Sequence, residues 1–198
     1  MPATPDHAGM AKALADGLEQ VIGEGQPVDL CGFSFGGVVF AHLAAFHPPL
    51  ARRLILVGCG GLDTPKGDVD IRRVSGLRGE ERRAMLKSNL LGLMLHHPES
   101  ADDLAIHMLL PNAKNTRLFS PDMVLPDKLL HILPRVQCRV DAIWGAFDRP
   151  HPDPMVQCAA LRSVCPEAAF EVVPDAGHWA MYERPEAFEQ ALWRVLNT

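Results

Sequence analysis

Apolar residues along the chain alternate between two textures. Short, nearly unbroken apolar runs at 28–31, 52–58, 136–145 and 169–173 read as strands. Such runs fit strands of a parallel sheet, which are covered on both faces and so show no in-and-out alternation. Between them the period is helical. Residues 6–22 place Met10, Leu14, Leu18, Val21 and Ile22 on one helix face, and Gly23-Glu24-Gly25-Gln26-Pro27 ends it. An Ala-rich stretch at 38–46 has no Gly or Pro inside and is stopped by His47-Pro48-Pro49. Asp153 is placed to cap a helix with Pro154 in its first turn, running to about Val164, and Pro185 opens a last helix to about Leu196.

From 64 to 127 the texture changes. The segment is rich in charge and helix formers and shows no strand; Leu86, Leu90, Leu93 and Met94 recur at helical spacing, as do Leu104, Met108 and Leu109. It reads as a helical insertion, with 1–63 and 128–198 forming the core. These stripes serve equally as core or as the lining of a pocket for apolar groups. Strands alternating with helices imply right-handed crossovers and a parallel sheet with helices on both faces.

Composition narrows the function classes. At 198 residues, 47% of them hydrophobic, the chain is one good-sized domain with room for a small insertion. A net charge of −5 without a basic stripe argues against nucleic acid and anionic membranes as partners. The longest apolar run, 90–95, is far too short to span a bilayer, and the N-terminus lacks a signal-peptide pattern. Five cysteines, an odd number with no CxxC pair, predict mostly buried free thiols in a reducing, cytoplasmic setting.

The chemistry is carried by Cys31-Gly32-Phe33-Ser34-Phe35-Gly36-Gly37, between a strand and a helix. It reads G-x-S-x-G. A serine on so sharp a turn is held in strained backbone, and its neighbours two positions away, Gly32 and Gly36, are expected to approach closely enough to exclude a Cβ. The turn lifts the Ser34 hydroxyl clear and aims the Phe35 N–H at a developing negative charge. In a parallel sheet the loops after the C-terminal strand ends share one edge. The third strand leads into Gly145-Ala146-Phe147-Asp148-Arg149-Pro150 and the fourth into Pro174-Asp175-Ala176-Gly177-His178-Trp179. Asp148 and His178 therefore fall on the edge of Ser34. A nucleophilic serine needs a base, and the base an orienting acid; Asp63, Asp153 and Asp175 are alternatives to Asp148 for that acid.

Three motifs, Gly32-Phe33-Ser34-Phe35-Gly36-Gly37, Trp144-Gly145-Ala146-Phe147-Asp148-Arg149, and Ala176-Gly177-His178-Trp179 with Glu183-Arg184-Pro185-Glu186, resemble those of the α/β-hydrolases of esterase and carbon–carbon-bond hydrolase type. The resemblance implies Ser34 as nucleophile, His178 as base, Asp148 as orienting acid and the Phe35 backbone N–H in the oxyanion hole. It also implies a small, partly apolar substrate with an activated carbonyl, an acyl-enzyme, a helical cap at 64–127, and neither metal nor organic cofactor. The rival expectations are a catalytically impaired or non-catalytic binding remnant and a cofactor-free, haloperoxidase-like perhydrolysis.

The chain departs from that pattern upstream of the elbow. One helix precedes the elbow strand, no Gly-rich loop supplies a second oxyanion donor, and about four strands stand where the family has about eight. An N-terminally truncated α/β-hydrolase fold is expected, as a fragment, as a natural short form completed by another chain, or as a remnant. The stretch 2–7 resembles the loop after the family's fourth strand. The open edge of the first strand predicts pairing or homo-oligomer formation. His96-His97 is read as a helix end rather than a ligand pair, because adjacent helix residues face different sides. His151 is read as a solvated loop residue, with contact to nearby Asp148 as the alternative, and Arg72-Arg73 and Arg82-Arg83 as solvated helix faces.

Overall fold

The computed structural model describes residues 6–115 and 121–198; the expectation for residues 2–5 lies outside them. Elements run α1 (His7–Ile22), β1 (Val28–Phe33), α2 (Phe35–Phe46), β2 (Ala51–Val57), α3 (Gly79–Leu93), α4 (Asp103–Asn115), α5 (Pro121–Val124), α6 (Lys128–Ile132), β3 (Arg139–Gly145), α7 (Pro154–Val164), β4 (Phe170–Val173), α8 (Ala180–Glu183) and α9 (Pro185–Leu196). The strands form one parallel sheet in the order β1-β2-β3-β4. Each expected strand is present, and among the described residues none forms between β2 and β3.

The two faces of the sheet are covered differently. On one, Leu54, Leu56, Ala142 and Trp144 pack with Val38, Ala41 and Leu43 of α2 and with Leu129 and Leu133 around α6. On the other, Ile55, Val57, Ile143 and Val173 pack with Ala191 and Val195 of α9. A third cluster joins α3 to α4 through Leu86, Leu90, Ala105 and Ile106.

Local signals set the helix ends. Asp6 caps α1 by accepting from the Gly9 N–H at 2.7 Å. Asp153 caps α7 by accepting from Met155 N–H at 2.9 Å, with Pro154 in the first turn as expected.

Which helix faces are buried differs from the sequence reading in two places. In α1 the buried residues are Ala11 and Ala15, whereas Val21 is 83% exposed and Leu14 40%. α1 lies against α2, and small residues let two helix backbones come close, so alanines rather than large apolar groups form that seam. In α4 Ala105 and Ile106 are buried and Leu104 is 56% exposed.

The elbow also corrects an expectation. A Cβ on Gly36 would meet nothing within 4 Å. The close approach involves Gly37: a Cβ there would sit 2.2 Å from the Cys59 Sγ and 2.8 Å from the Gly32 carbonyl oxygen, and a Cβ on Gly32 would lie 2.4 Å from the Gly37 Cα. Once α2 starts at Phe35, its first turn rolls Gly36 outward and Gly37 onto β1. Gly37→Ala should therefore destabilise the fold by about 1–3 kcal/mol in urea unfolding, as overpacking does. Gly36→Ala, in open helix, should be neutral or gain up to about 1 kcal/mol.

Candidate active site

The parallel ladder does not stop at the strand ends. Ser34 N–H donates to the Val57 carbonyl at 2.8 Å, Gly58 N–H to Ile143 at 3.0 Å, and Ala146 N–H to Val173 at 2.9 Å. These bonds fix the first residue of each departing loop at one level along the rim. Ser34 itself has φ 51° and ψ −122°, a left-handed conformation costly for a residue with a Cβ. The strain turns the chain straight from β1 into α2 and leaves Ser34 partly exposed. Phe35, the first residue of α2, has an N–H with no acceptor available within the helix.

Three sequence-predicted side chains meet here. The Ser34 Oγ lies 3.1 Å from His178 Nε2, and His178 Nδ1 lies 2.8 Å from Asp148 Oδ2. Asp148 is fully buried and His178 nearly so. Burial pushes the Asp148 carboxyl upward in pKa, but hydrogen bonds from His151 and His178 outweigh it and hold the group below its ordinary value. An ionised carboxylate only accepts. His178 therefore carries its proton on Nδ1 and turns the Nε2 lone pair toward the Ser34 hydroxyl. Gly58 makes room for this arrangement: at φ 54°, a Cβ there would lie 3.1 Å from Asp148 Oδ2 and 3.2 Å from the His178 ring.

The alternative carboxylates are occupied elsewhere. Asp153 caps α7, exposed Asp175 pairs with Arg184 and His97, and Asp63 is exposed on its loop. Of these four acids only Asp148 bonds His178. His151 departs from expectation: it is 9% exposed, and both its backbone N–H (3.0 Å) and its ring Nδ1 (3.1 Å) reach Asp148 Oδ1. The only signal for it in the sequence is its place three residues after the acid.

Glu183 is a second residue whose role the sequence left unread, although it stands in a quoted motif. Its half-buried neighbours hide what is itself a buried carboxylate. It accepts from the backbone N–H groups of His96 (2.9 Å), His97 (2.9 Å) and Gly177 (2.6 Å). The residue before His178 is thus tied to the chain leaving α3. Trp179 N–H adds a bond to the Met94 carbonyl at 2.8 Å.

Among the described residues, two groups of possible metal ligands lie close together, His96 with His97 and Asp175, and Asp148 with His151 and His178. In the first, the Arg184 guanidinium sits 2.7 Å from His97 Nε2 and pairs with Asp175, placing a positive charge where a cation would bind. In the second, the ligand atoms already bond one another. Of the expected buried thiols, Cys59 and Cys158 are buried, Cys138 and Cys165 half-buried, and Cys31 exposed on β1; all five are free. No helix among the described residues is long and apolar enough to cross a membrane.

A cavity of about 410 Å³ beside His151 is lined also by Lys66, Asp68 and Leu125, and one of about 290 Å³ is lined by Asp148, Phe147 and His96. A separate cavity of about 440 Å³ is lined by Ile71, Leu86, Leu93, Met94 and Leu109.

A parallel sheet with a serine on a strand-to-helix elbow, a histidine and a buried aspartate on one rim defines a class of α/β protein. The sequence matches the Alpha/beta hydrolase family over residues 2–191, and the chain belongs to that family. It is similar to two 2-hydroxy-6-oxononadienedioate/2-hydroxy-6-oxononatrienedioate hydrolases. One, from Comamonas testosteroni, is 28% identical over 187 residues, covering 88% of this chain and 64% of the relative. The other, from a Pseudomonas species, is 23% identical over 180 residues, covering 84% of this chain and 62% of the relative. The chain thus spans less than two thirds of the length of these relatives. Among solved structures, a putative aryl esterase from Burkholderia cenocepacia superposes with a TM-score of 0.73 at 20% identity, over 98% of this chain and 72% of that one. A thermophilic esterase from Thermogutta terrifontis gives 0.70 at 23% identity, over 100% and 74%.

Glu183→Gln puts an amide NH₂ where a carboxylate oxygen now accepts backbone N–H groups. It should lower stability by about 1–3 kcal/mol in chemical denaturation, as expected when buried donors lose their acceptor.

Proposed function

We propose that this chain is a serine hydrolase that attacks an ester or a related activated carbonyl through an acyl-enzyme. The observation that carries the reading is the unbroken hydrogen-bond path from Ser34 Oγ through His178 to buried Asp148, at 3.1 and 2.8 Å. His178 Nε2 takes the hydroxyl proton as Oγ bonds the carbonyl carbon, and the carbonyl electron pair moves onto oxygen. The Phe35 N–H at the start of α2 stabilises that oxyanion. As the intermediate collapses, the imidazolium returns the proton to the departing alkoxide. Water, deprotonated by His178, then attacks the acyl carbon and releases the acid and Ser34. Asp148 holds the imidazole in the Nδ1–H tautomer and offsets its positive charge.

The residues 64–127 act in this reading as a cap over a small, partly apolar substrate. An apolar cavity of about 440 Å³ lies within these residues, between α3 and α4. The esterases among the structural neighbours, and the oxo-acid hydrolases among the relatives, favour carbonyl attack as the shared step.

Ser34→Ala should cut hydrolysis of a p-nitrophenyl ester by at least about 10³-fold while the far-ultraviolet circular dichroism stays unchanged. Undiminished turnover in the variant would refute the nucleophile.

A further inference from the structure

Asp148 carries two imidazoles. Its Oδ2 accepts from His178 Nδ1 at 2.8 Å, and its Oδ1 accepts from the His151 backbone N–H at 3.0 Å and ring Nδ1 at 3.1 Å. The His151 and His178 ring centroids are 5.7 Å apart, and the Trp144 indole stands edge-on to His151 at 6.2 Å. The far end of the His151 ring points at Gly60, where a Cβ would lie 3.2 Å from Nε2. A bulkier residue at position 60 would press on the ring, so the space is fitted to an imidazole.

Resting on the reading of Asp148 and His178 as acid and base, we propose that His151 is a positioning residue that sets the basicity of His178 through the carboxylate they share. The bond to Oδ1 draws negative charge away from Oδ2, so Asp148 stabilises a His178 imidazolium less strongly. The two bonds on Oδ1 also stop the carboxylate from rotating away from His178.

The other ionisable groups facing the pair do not substitute for His151. The Cys59 thiol lies under the elbow, and burial pushes its pKa far up, so it stays neutral. Lys66 and Asp68, exposed and opposite in charge, line the cavity beside His151, and Asp68, His96 and Arg149 line the one beside Asp148 without a hydrogen bond to its carboxylate. Glu183 faces the Gly177 N–H rather than either ring.

The test is a pH titration of the histidine signals by NMR in the 198-residue, ¹⁵N-histidine-labelled chain, alongside the pH profile of kcat/KM on a p-nitrophenyl ester. His151→Leu and His151→Gln place no side-chain N–H at the Nδ1 position. Each should raise the midpoint at which His178 takes up a proton by about 0.5–1 unit, and move the acid limb of activity with it. His151→Asn sets an amide N–H at the Nδ1 position and should restore the original midpoint. A role in folding alone would lower stability in all three variants without moving the midpoint. An unmoved midpoint in a folded Leu or Gln variant overturns the proposal, and so does an equal shift in the Asn variant. Gln keeps a polar group of similar reach, so the comparison survives if the Leu variant does not fold. The titration needs no turnover: an active Ser34→Ala would refute the serine mechanism while leaving this measurement able to decide the role of His151.

Discussion

The last hydrogen bond of each strand pair is the constraint on which the site depends. Ser34, Gly58 and Ala146 each stand one residue past a strand, yet each donates to the carbonyl of the neighbouring strand as if the ladder continued. Parallel pairing spaces these bonds evenly and points every chain the same way. The turn bearing Ser34, the glycine that makes room and the loop holding Asp148 are therefore aligned before any side chain contributes. A slip of one residue in any pair would reverse which side chains face each layer, and the buried runs on both faces oppose it. Alignment at the rim is a by-product of burying Ile55, Val57, Ile143 and Trp144 in their own layers.

Two local costs are set against that alignment. Ser34 is held in a left-handed conformation that costs about 1–3 kcal/mol, and Asp148 is a fully buried charge. Both are sustained by contacts a few ångströms away. Under Ser34, Gly32, Gly37 and Cys59 meet with no spare volume, so the elbow cannot relax downward. Around Asp148, three N–H groups converge from two histidines, and desolvation is answered by hydrogen bonds. The result is a carboxylate that remains charged and an imidazole with only one tautomer open to it.

The sheet was legible in the sequence because its signal is coarse: four apolar runs, each long enough for a strand, with helix caps between them. The rim residues were legible for the same reason, since any loop after a parallel strand reaches one edge. What escaped was direction. The face of α1 was assigned to its largest apolar residues, but a helix lying close to another selects for small ones, and Ala11 and Ala15 won over Leu14 and Val21. Gly36 and Gly37 are equivalent as letters, and only the rotation of the first turn of α2 tells which one touches β1. His151 looked like any loop histidine, because periodicity says nothing about which way an irregular segment folds back. The tie through Glu183 was invisible because its partners are backbone groups, which carry no sequence signature.

That backbone character has a consequence for how the site can vary. Glu183 grips N–H groups of His96, His97 and Gly177, and Trp179 N–H grips the carbonyl of Met94. None of these bonds requires a particular side chain at the position gripped. The end of α3 is thus pinned to the loop that presents His178, while Leu86, Leu93 and Leu109, which line the apolar cavity between α3 and α4, take no part in the pinning. Replacing those side chains reshapes the cavity without removing any of these backbone bonds. Conversely, displacing residues 94–97 cannot be local, because it breaks the bonds that fix Gly177 next to His178. The geometry separates the residues that shape the apolar space from those that aim the imidazole, and joins the two sets through the buried Glu183 carboxylate and the Trp179–Met94 backbone bond.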